Sequence, residues 1–172
     1  MRVITGKYKG LKLDGYDIVG TRPTQDRVKE SLFAMIQNKV KNSKCLDLFA
    51  GSGSLGIEAI SMGASSATFV DINFKAISVL KNNTKRIEEE LLFFNSDYKN
   101  FLKTTNEQFD IIFLDPPYHL LLINDCIDLI KKNNLLKRDG IIVCEYEEEV
   151  INYDSFKEKK YGKTYIKIIK DI

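Results

Sequence analysis

The chain has 172 residues, 44% of them hydrophobic and 29% charged, with a formal net charge of +2. That is enough for one globular domain with a single sizeable core, and no apolar run approaches the roughly 18 residues that span a bilayer. The opening residues lack the long apolar stretch of a secretory leader, so a cytoplasmic protein is expected. Three widely spaced cysteines, Cys45, Cys126 and Cys144, and a single histidine, His119, suggest neither a disulfide framework nor a zinc site. No metal is expected, and the cysteines read as small buried hydrophobes.

The charge is uneven. Residues 1–44 carry ten Lys/Arg against four Asp/Glu, whereas 45–172 carry sixteen against twenty. The runs at 2–5 and 11–13 alternate around G-K-Y-K-G, which predicts a small basic hairpin appended to the core over 1–20, with the catalytic core over 21–172. Its Lys7, Lys9 and Lys12, with Tyr8 among them, suit a nucleic-acid footprint. In T-R-P-T (21–24) Thr24 is a candidate N-cap, Asp26 suits a first helical turn, and Val28, Leu32, Phe33 and Ile36 make an apolar stripe. Arg22 and Arg27 would stand at that helix start.

C-L-D-L-F-A-G-S-G-S-L-G-I-E (45–58) is a short apolar run, three glycines at G-x-G-x-x-G spacing, and the start of an amphipathic pattern. Strand, tight turn and helix follow, with Gly51, Gly53 and Gly56 allowing a sharp turn and close approach of backbone to ligand. Asp47 lies within the strand. A helix over 54–62 leads to a strand over 67–71 ending at Asp71, where an acid about 20 residues past the glycines would grip a ribose diol. A helix over 74–87, an apolar run over 91–95, and then Ser96, Asp97 and Tyr98 come next. The run 109–114 is a nearly continuous apolar strand, 120–132 is helical, and Gly140 opens a strand over 141–145. Such strands alternating with helices predict a parallel α/β sheet covered on both faces. Segments 156–160 and 164–170 alternate instead, about Y-G-K, and predict an antiparallel hairpin. Glu145 and Glu147 to Glu149 read as a solvated acidic face.

D-P-P-Y (115–118) follows the 109–114 strand at its carboxyl end, where open α/β sheets place ligands. Two prolines stiffen the loop and supply no N–H, so Asp115 and the carbonyls beside it offer acceptors without donors. A nucleobase amine has two N–H donors and a lone pair delocalised into its ring. Acceptors placed on those hydrogens would localise the lone pair and aim it at an electrophilic methyl group. Tyr118 offers a face on which an extruded base could stack.

D-L-F-A-G-S-G-S-L-G-I-E-A with D-P-P-Y resembles the class I S-adenosylmethionine-dependent amino-methyltransferases. The early T-R-P-T-x-D-R-V-K-E-S-L-F and R-V-I-T-G-K-Y-K-G resemble, more narrowly, the bacterial 16S ribosomal RNA guanine-N2 methyltransferases. The resemblance implies a single Rossmann-like, three-layer domain over 1–172, with a seven-stranded sheet whose last hairpin is antiparallel. It implies S-adenosylmethionine held by Asp47, Phe49, Ala50, Gly51, Ser52, Gly53, Asp71, Ile72, Ser96, Asp97 and Tyr98, with Asp71 on the ribose and Asp97 on the adenine amine. It implies Asp115, Pro116, Pro117 and Tyr118 as the catalytic turn, and 16S RNA of the small ribosomal subunit, or its assembly intermediate, as partner to a monomer. Arg2, Lys7, Lys9, Lys12, Arg22, Thr24 and Arg27 are then the expected RNA contacts. Three other readings remain at this point: a DNA adenine-N6 or cytosine-N4 amino-methyltransferase, a nicotinamide-dependent oxidoreductase, and a non-catalytic RNA-binding module. The second leaves D-P-P-Y and the terminal hairpin unexplained, and the third leaves Asp115 without a purpose.

Overall fold

The computed structural model describes residues 1–15 and 26–172. Thr24 as N-cap and Arg22 as RNA contact therefore lie outside the described residues. Along the chain run α1 (Asp26–Val40), β1 (Lys44–Asp47), α2 (Ser54–Ser61), β2 (Ser66–Asp71), α3 (Phe74–Asn83), β3 (Glu90–Asn95) and α4 (Tyr98–Thr104). They are followed by β4 (Phe109–Leu114), a 3₁₀ turn (Tyr118–Leu120), α5 (Ile123–Lys132), β5 (Leu136–Tyr146), β6 (Lys157–Tyr161) and β7 (Thr164–Ile169). Seven strands form one sheet in the order β3-β2-β1-β4-β5-β7-β6. The first five are parallel, and β7 and β6 are antiparallel to their neighbours.

The runs of β1, β2, β4 and β5 are apolar on both faces because both faces are covered. On one face Leu32, Phe33 and Ile36 of α1, Ile57 and Ile60 of α2, and Leu80 of α3 pack against Phe69, Ile111, Phe113, Ile166 and Ile168. On the other, Phe101 and Leu102 of α4 and Ile127 and Ile130 of α5 pack against Leu46, Val70, Ile112, Ile142 and Cys144. Cys45, Cys126 and Cys144 are buried free thiols. Among the described residues no helix is long and apolar enough to cross a membrane.

Local chemistry moves several boundaries. The helix expected to 87 stops at Asn83, because the Thr84 hydroxyl turns back onto the Leu80 carbonyl. The helix expected from 120 begins at Ile123, after Leu121 adopts a positive φ of 49°. The basic N-terminal hairpin is a single antiparallel bridge, Arg2 to Lys12, rather than two strands. It is no appendage either, because Val3 and Leu13 are in the core.

What fastens this segment is a buried ion pair. Lys29 Nζ lies 3.0 Å from Glu58 Oε2, and both side chains are 1% exposed. Glu58 also accepts the backbone N–H groups of Ile4 and Thr5 at 3.0 and 2.8 Å, while Lys29 donates to the Arg2 carbonyl and Ser54 Oγ. Every charge-bearing atom of the pair thus has hydrogen-bond partners, the condition for tolerating buried charge.

Candidate active site

Each of the five parallel strands reaches its carboxyl end within two residues of an acid: Asp47, Asp71, Asp97, Asp115 and Glu145 on β1, β2, β3, β4 and β5 respectively. The two motifs face each other along this edge. β1 and β4 are paired neighbours, and the Leu48 N–H donates to the Phe113 carbonyl at 3.2 Å, so the glycine loop and the D-P-P-Y turn leave the sheet side by side.

The glycine loop turns sharply, with the Gly53 N–H bonded to the Ala50 carbonyl at 2.7 Å. Gly53 sits at φ 88°, at the start of α2, and a Cβ there would come within 2.2 Å of Leu80 Cδ1. Gly56 brings α2 onto the sheet, since a Cβ there would stand 2.3 Å from the Phe69 ring. Asp47 braces the turn from beneath. Only 2% exposed, it accepts the Gly56 N–H at 3.0 Å, and its carboxyl is pushed up to about 7, mainly by burial, with the charge of Asp71 adding and the Gly56 bond opposing. This burial makes it a support for the loop.

Asp71 is half-buried with one oxygen on each flank: Oδ2 accepts the Gly51 N–H and Oδ1 the Asn73 N–H, both at 2.8 Å. Burial raises its pKa, against those two bonds. Ile72, next in the chain, is 72% exposed, so an apolar side chain stands in water beside a carboxylate. Asp97 is the N-cap of α4, its Oδ1 accepting the Lys99 N–H at 2.9 Å and the Asn100 N–H at 3.3 Å. The Ser96 N–H ties this strand end to the Asp71 carbonyl at 3.1 Å, and Tyr98 lies tilted on Phe49 with ring centroids 5.6 Å apart. Phe49, Ala50, Gly51, Ser52, Gly53, Asp71, Ile72, Ser96, Asp97 and Tyr98 thus come together at the carboxyl ends of β1, β2 and β3.

In the turn after β4, Pro116 is buried and Pro117 exposed, and the Leu120 N–H closes the 3₁₀ turn on the Pro117 carbonyl at 3.0 Å. The Tyr118 hydroxyl donates to Glu145 Oε1 at 2.7 Å. Its pKa is well above the ordinary phenol value, first through burial, then through the negative charges of Glu145 and Asp115. It therefore stays protonated and keeps its ring in place. This overturns the reading of Glu145 as part of a solvated face: it is 3% exposed, because the strand carries it into the sheet interior and Tyr118 needs an acceptor there. Glu149 is not simply solvated either, since it accepts the Ile123 and Asn124 N–H groups and caps α5. The position of Glu145 at the end of an apolar strand, like that of Asp71, was the available sequence signal.

The expected RNA contacts are scattered. Lys7 is bound to Glu88 and Glu89 at 3.1 and 2.9 Å, and Arg2 lies 3.6 Å from Asp26. Lys9, Lys12 and Arg27 are exposed.

The family model described as "Conserved hypothetical protein 95" matches residues 1–170. The chain belongs to this family. It is 39% identical to the Ribosomal RNA small subunit methyltransferase D of Haemophilus influenzae over 172 aligned residues, covering 94% of this chain and 89% of that protein. The solved structure of the yhhF protein of Escherichia coli superposes with a TM-score of 0.88 at 32% identity, over 98% of this chain and 96% of that one. An RNA methyltransferase from Salinibacter ruber, solved with S-adenosyl-L-homocysteine, shares the fold alone: TM-score 0.69 at 11% identity, over 86% and 92% of the two chains. The family's architecture in this chain is the Rossmann-like class I methyltransferase sheet, closed by an antiparallel hairpin.

Proposed function

We propose that this protein transfers a methyl group from S-adenosylmethionine to the exocyclic N2 amine of a guanine in 16S ribosomal RNA, within the small ribosomal subunit or an assembly intermediate of it. The observation that carries this is the juxtaposition of glycine loop and D-P-P-Y turn on paired strands β1 and β4. The named relative, a small-subunit ribosomal RNA methyltransferase, supports the substrate class.

The residues fit the methyl donor. Its sulfonium and ammonium are cationic, and the edge they would meet is lined by acids, whereas a dinucleotide would set its pyrophosphate against the same carboxylates. Asp71 spends one lone pair of each oxygen on a backbone N–H, which fixes its plane and leaves further acceptor capacity for a ribose diol. Ile72 would cover one face of the adenine ring, and the second oxygen of Asp97 would take its amine. When bound, S-adenosylmethionine supplies a methyl group made electrophilic by the sulfonium.

The rest falls to the turn after β4. The Asp115 carboxylate and the Pro116 carbonyl accept the two hydrogens of the target amine, drawing its lone pair out of conjugation and towards the methyl group. Tyr118, pinned through its hydroxyl, stacks on the base and orients it. Transfer yields a cationic amine whose proton then leaves to water or to Asp115.

The test is to offer labelled methyl donor with duplex DNA, naked 16S RNA, or small-subunit particles from a strain lacking the enzyme, and to digest each to nucleosides. Label in N2-methylguanosine from the particles or RNA is the expected result; label in N6-methyladenine or N4-methylcytosine of DNA would overturn the reading. Asp115→Ala should cost about a hundredfold or more in turnover while leaving cofactor affinity nearly unchanged, because its partner arrives only with the base.

A further inference from the structure

The carboxyl edge is acidic, so a polyanionic substrate must be drawn there by cations around its rim. The N-terminal segment supplies them only in part: Lys7 is neutralised by two glutamates and Lys29 is buried, which leaves Lys9 and Lys12 exposed. A longer lysine-rich stretch lies at the other end of the chain. Residues 157–170 hold six lysines and one acid, Glu158, and that acid accepts the Tyr146 hydroxyl.

Topology places this charge at the mouth. β7 begins opposite the end of β5, with Thr164 pairing Tyr161 and Tyr165 pairing Tyr146, so the turn at Gly162 and Lys163 lies at the carboxyl end of the parallel strands. The Tyr118 hydroxyl is bonded to Glu145 of β5, and Glu145 pairs with Ile166 of β7, so the hairpin and the D-P-P-Y turn flank the same strand end. Tyr161 shares a hydrogen bond with Ser31 of α1, and a shallow recess of about 430 Å³ between the two elements is lined by Arg27, Ser31, Lys159, Lys160 and Tyr161, with Glu30 as its acid. Lys159, Lys160 and Lys163 are exposed, and none forms a salt bridge among the described residues. Lysines on an edge strand also discourage pairing with another sheet. That role is met by charge anywhere along β6 and accounts for neither Lys163 in the turn nor Arg27 on α1.

We propose that Lys159, Lys160 and Lys163 of the β6–β7 hairpin, with Arg27 of α1, form the cradle for the phosphodiester backbone flanking the target nucleotide. This rests on the reading of RNA as substrate. The hairpin edge grips phosphates while the base enters beside Tyr118, so charge and chemistry meet across β5, which holds the Tyr118 hydroxyl and pairs with β7.

The experiment compares the full-length protein with the Lys159→Gln/Lys160→Gln/Lys163→Gln variant. A Lys103→Gln/Lys131→Gln/Lys132→Gln variant serves as control, since those exposed lysines close α4 and α5 at the opposite end of the sheet. Binding to unmethylated small-subunit particles is titrated at several salt concentrations, with kcat, KM and S-adenosylmethionine affinity measured alongside. The hairpin variant should bind particles at least tenfold more weakly and lose about 2 from the slope of log affinity against log salt, at roughly 0.7 per single-strand phosphate contact. KM should rise while kcat and cofactor affinity stay, and a triple Lys→Arg variant should keep wild-type binding. If the hairpin variant binds like wild type, or the control weakens equally, the assignment is wrong while the RNA reading stands. If wild type binds no particle at any salt, the RNA reading itself falls, and this cradle with it.

Discussion

The two ends of the chain are both rich in lysine and both lie against the catalytic sheet, yet they use charge in opposite ways. At the N-terminus the cations that fasten the segment are matched, Lys29 to Glu58 in the core and Lys7 to Glu88 and Glu89 on the surface, while Lys9 and Lys12 stay exposed. At the C-terminus Lys159, Lys160 and Lys163 stand in water, and the hairpin is fastened instead by neutral hydroxyls, Tyr161 to Ser31 and Tyr146 to Glu158. A cation that fastens a segment through a carboxylate is not left to offer a ligand. A segment fastened by hydroxyls and apolar contacts keeps its charges for one.

The largest expected effect breaks the N-terminal half of this contrast. Glu58→Ala leaves the Lys29 ammonium buried without its counter-charge and removes the acceptor of the Ile4 and Thr5 N–H groups. Loss of one partner of a buried pair costs about 3–5 kcal/mol, so denaturant titration should show a much lower midpoint, or no folded baseline. The double replacement Lys29→Met/Glu58→Leu should recover much of that loss, because the uncompensated charge is gone. If Glu58→Ala alone were nearly neutral, the N-terminus would be held by apolar contacts as the hairpin is.

The next largest effect acts at the junction of hairpin and active site. Tyr118→Phe keeps a ring for stacking but takes the donor from Glu145 Oε1. A hydrogen bond to a charged group contributes about 1.5–3 kcal/mol, and part of that loss should appear as a roughly tenfold fall in kcat/KM with cofactor affinity unchanged. Steady-state kinetics with the RNA substrate gives the answer. Full activity would mean that the ring needs no anchor.

What was legible in the sequence follows the range of the interactions. The glycine loop and D-P-P-Y are written in consecutive residues whose backbone needs are unusual, and the sheet with its terminal hairpin follows from apolar continuity giving way to alternation. Asp97 was read as a ligand-facing acid, yet the helix it caps, α4, went unread, because a short helix after a strand has little periodicity to show. Glu145 was read with its acidic neighbours, though its partner Tyr118 lies 27 residues away. Lys7 was read as a phosphate contact for the same reason: its carboxylates lie 81 and 82 residues downstream. Averaging hid the hairpin cradle. Residues 45–172 sum to a negative charge, and that sum conceals six lysines within fourteen residues at the end.

The smallest effect sharpens the contrast. Lys7 is half-exposed, and its partners hold its pKa above that of a free lysine, chiefly through Glu89, then Tyr8 and Glu88. Its charge is therefore present at every working pH but directed at carboxylates. An RNA phosphate would have to displace Glu88 and Glu89 to reach it. Lys7→Gln should then change the salt slope of particle binding by much less than the ~0.7 of one full phosphate contact. Stability should barely change, as for other surface pairs. The measurement is the same salt series used for the hairpin, run with this single variant. Loss of the whole ~0.7 of slope on Lys7→Gln would mean that RNA outcompetes the glutamates, and that the footprint spans both ends of the chain.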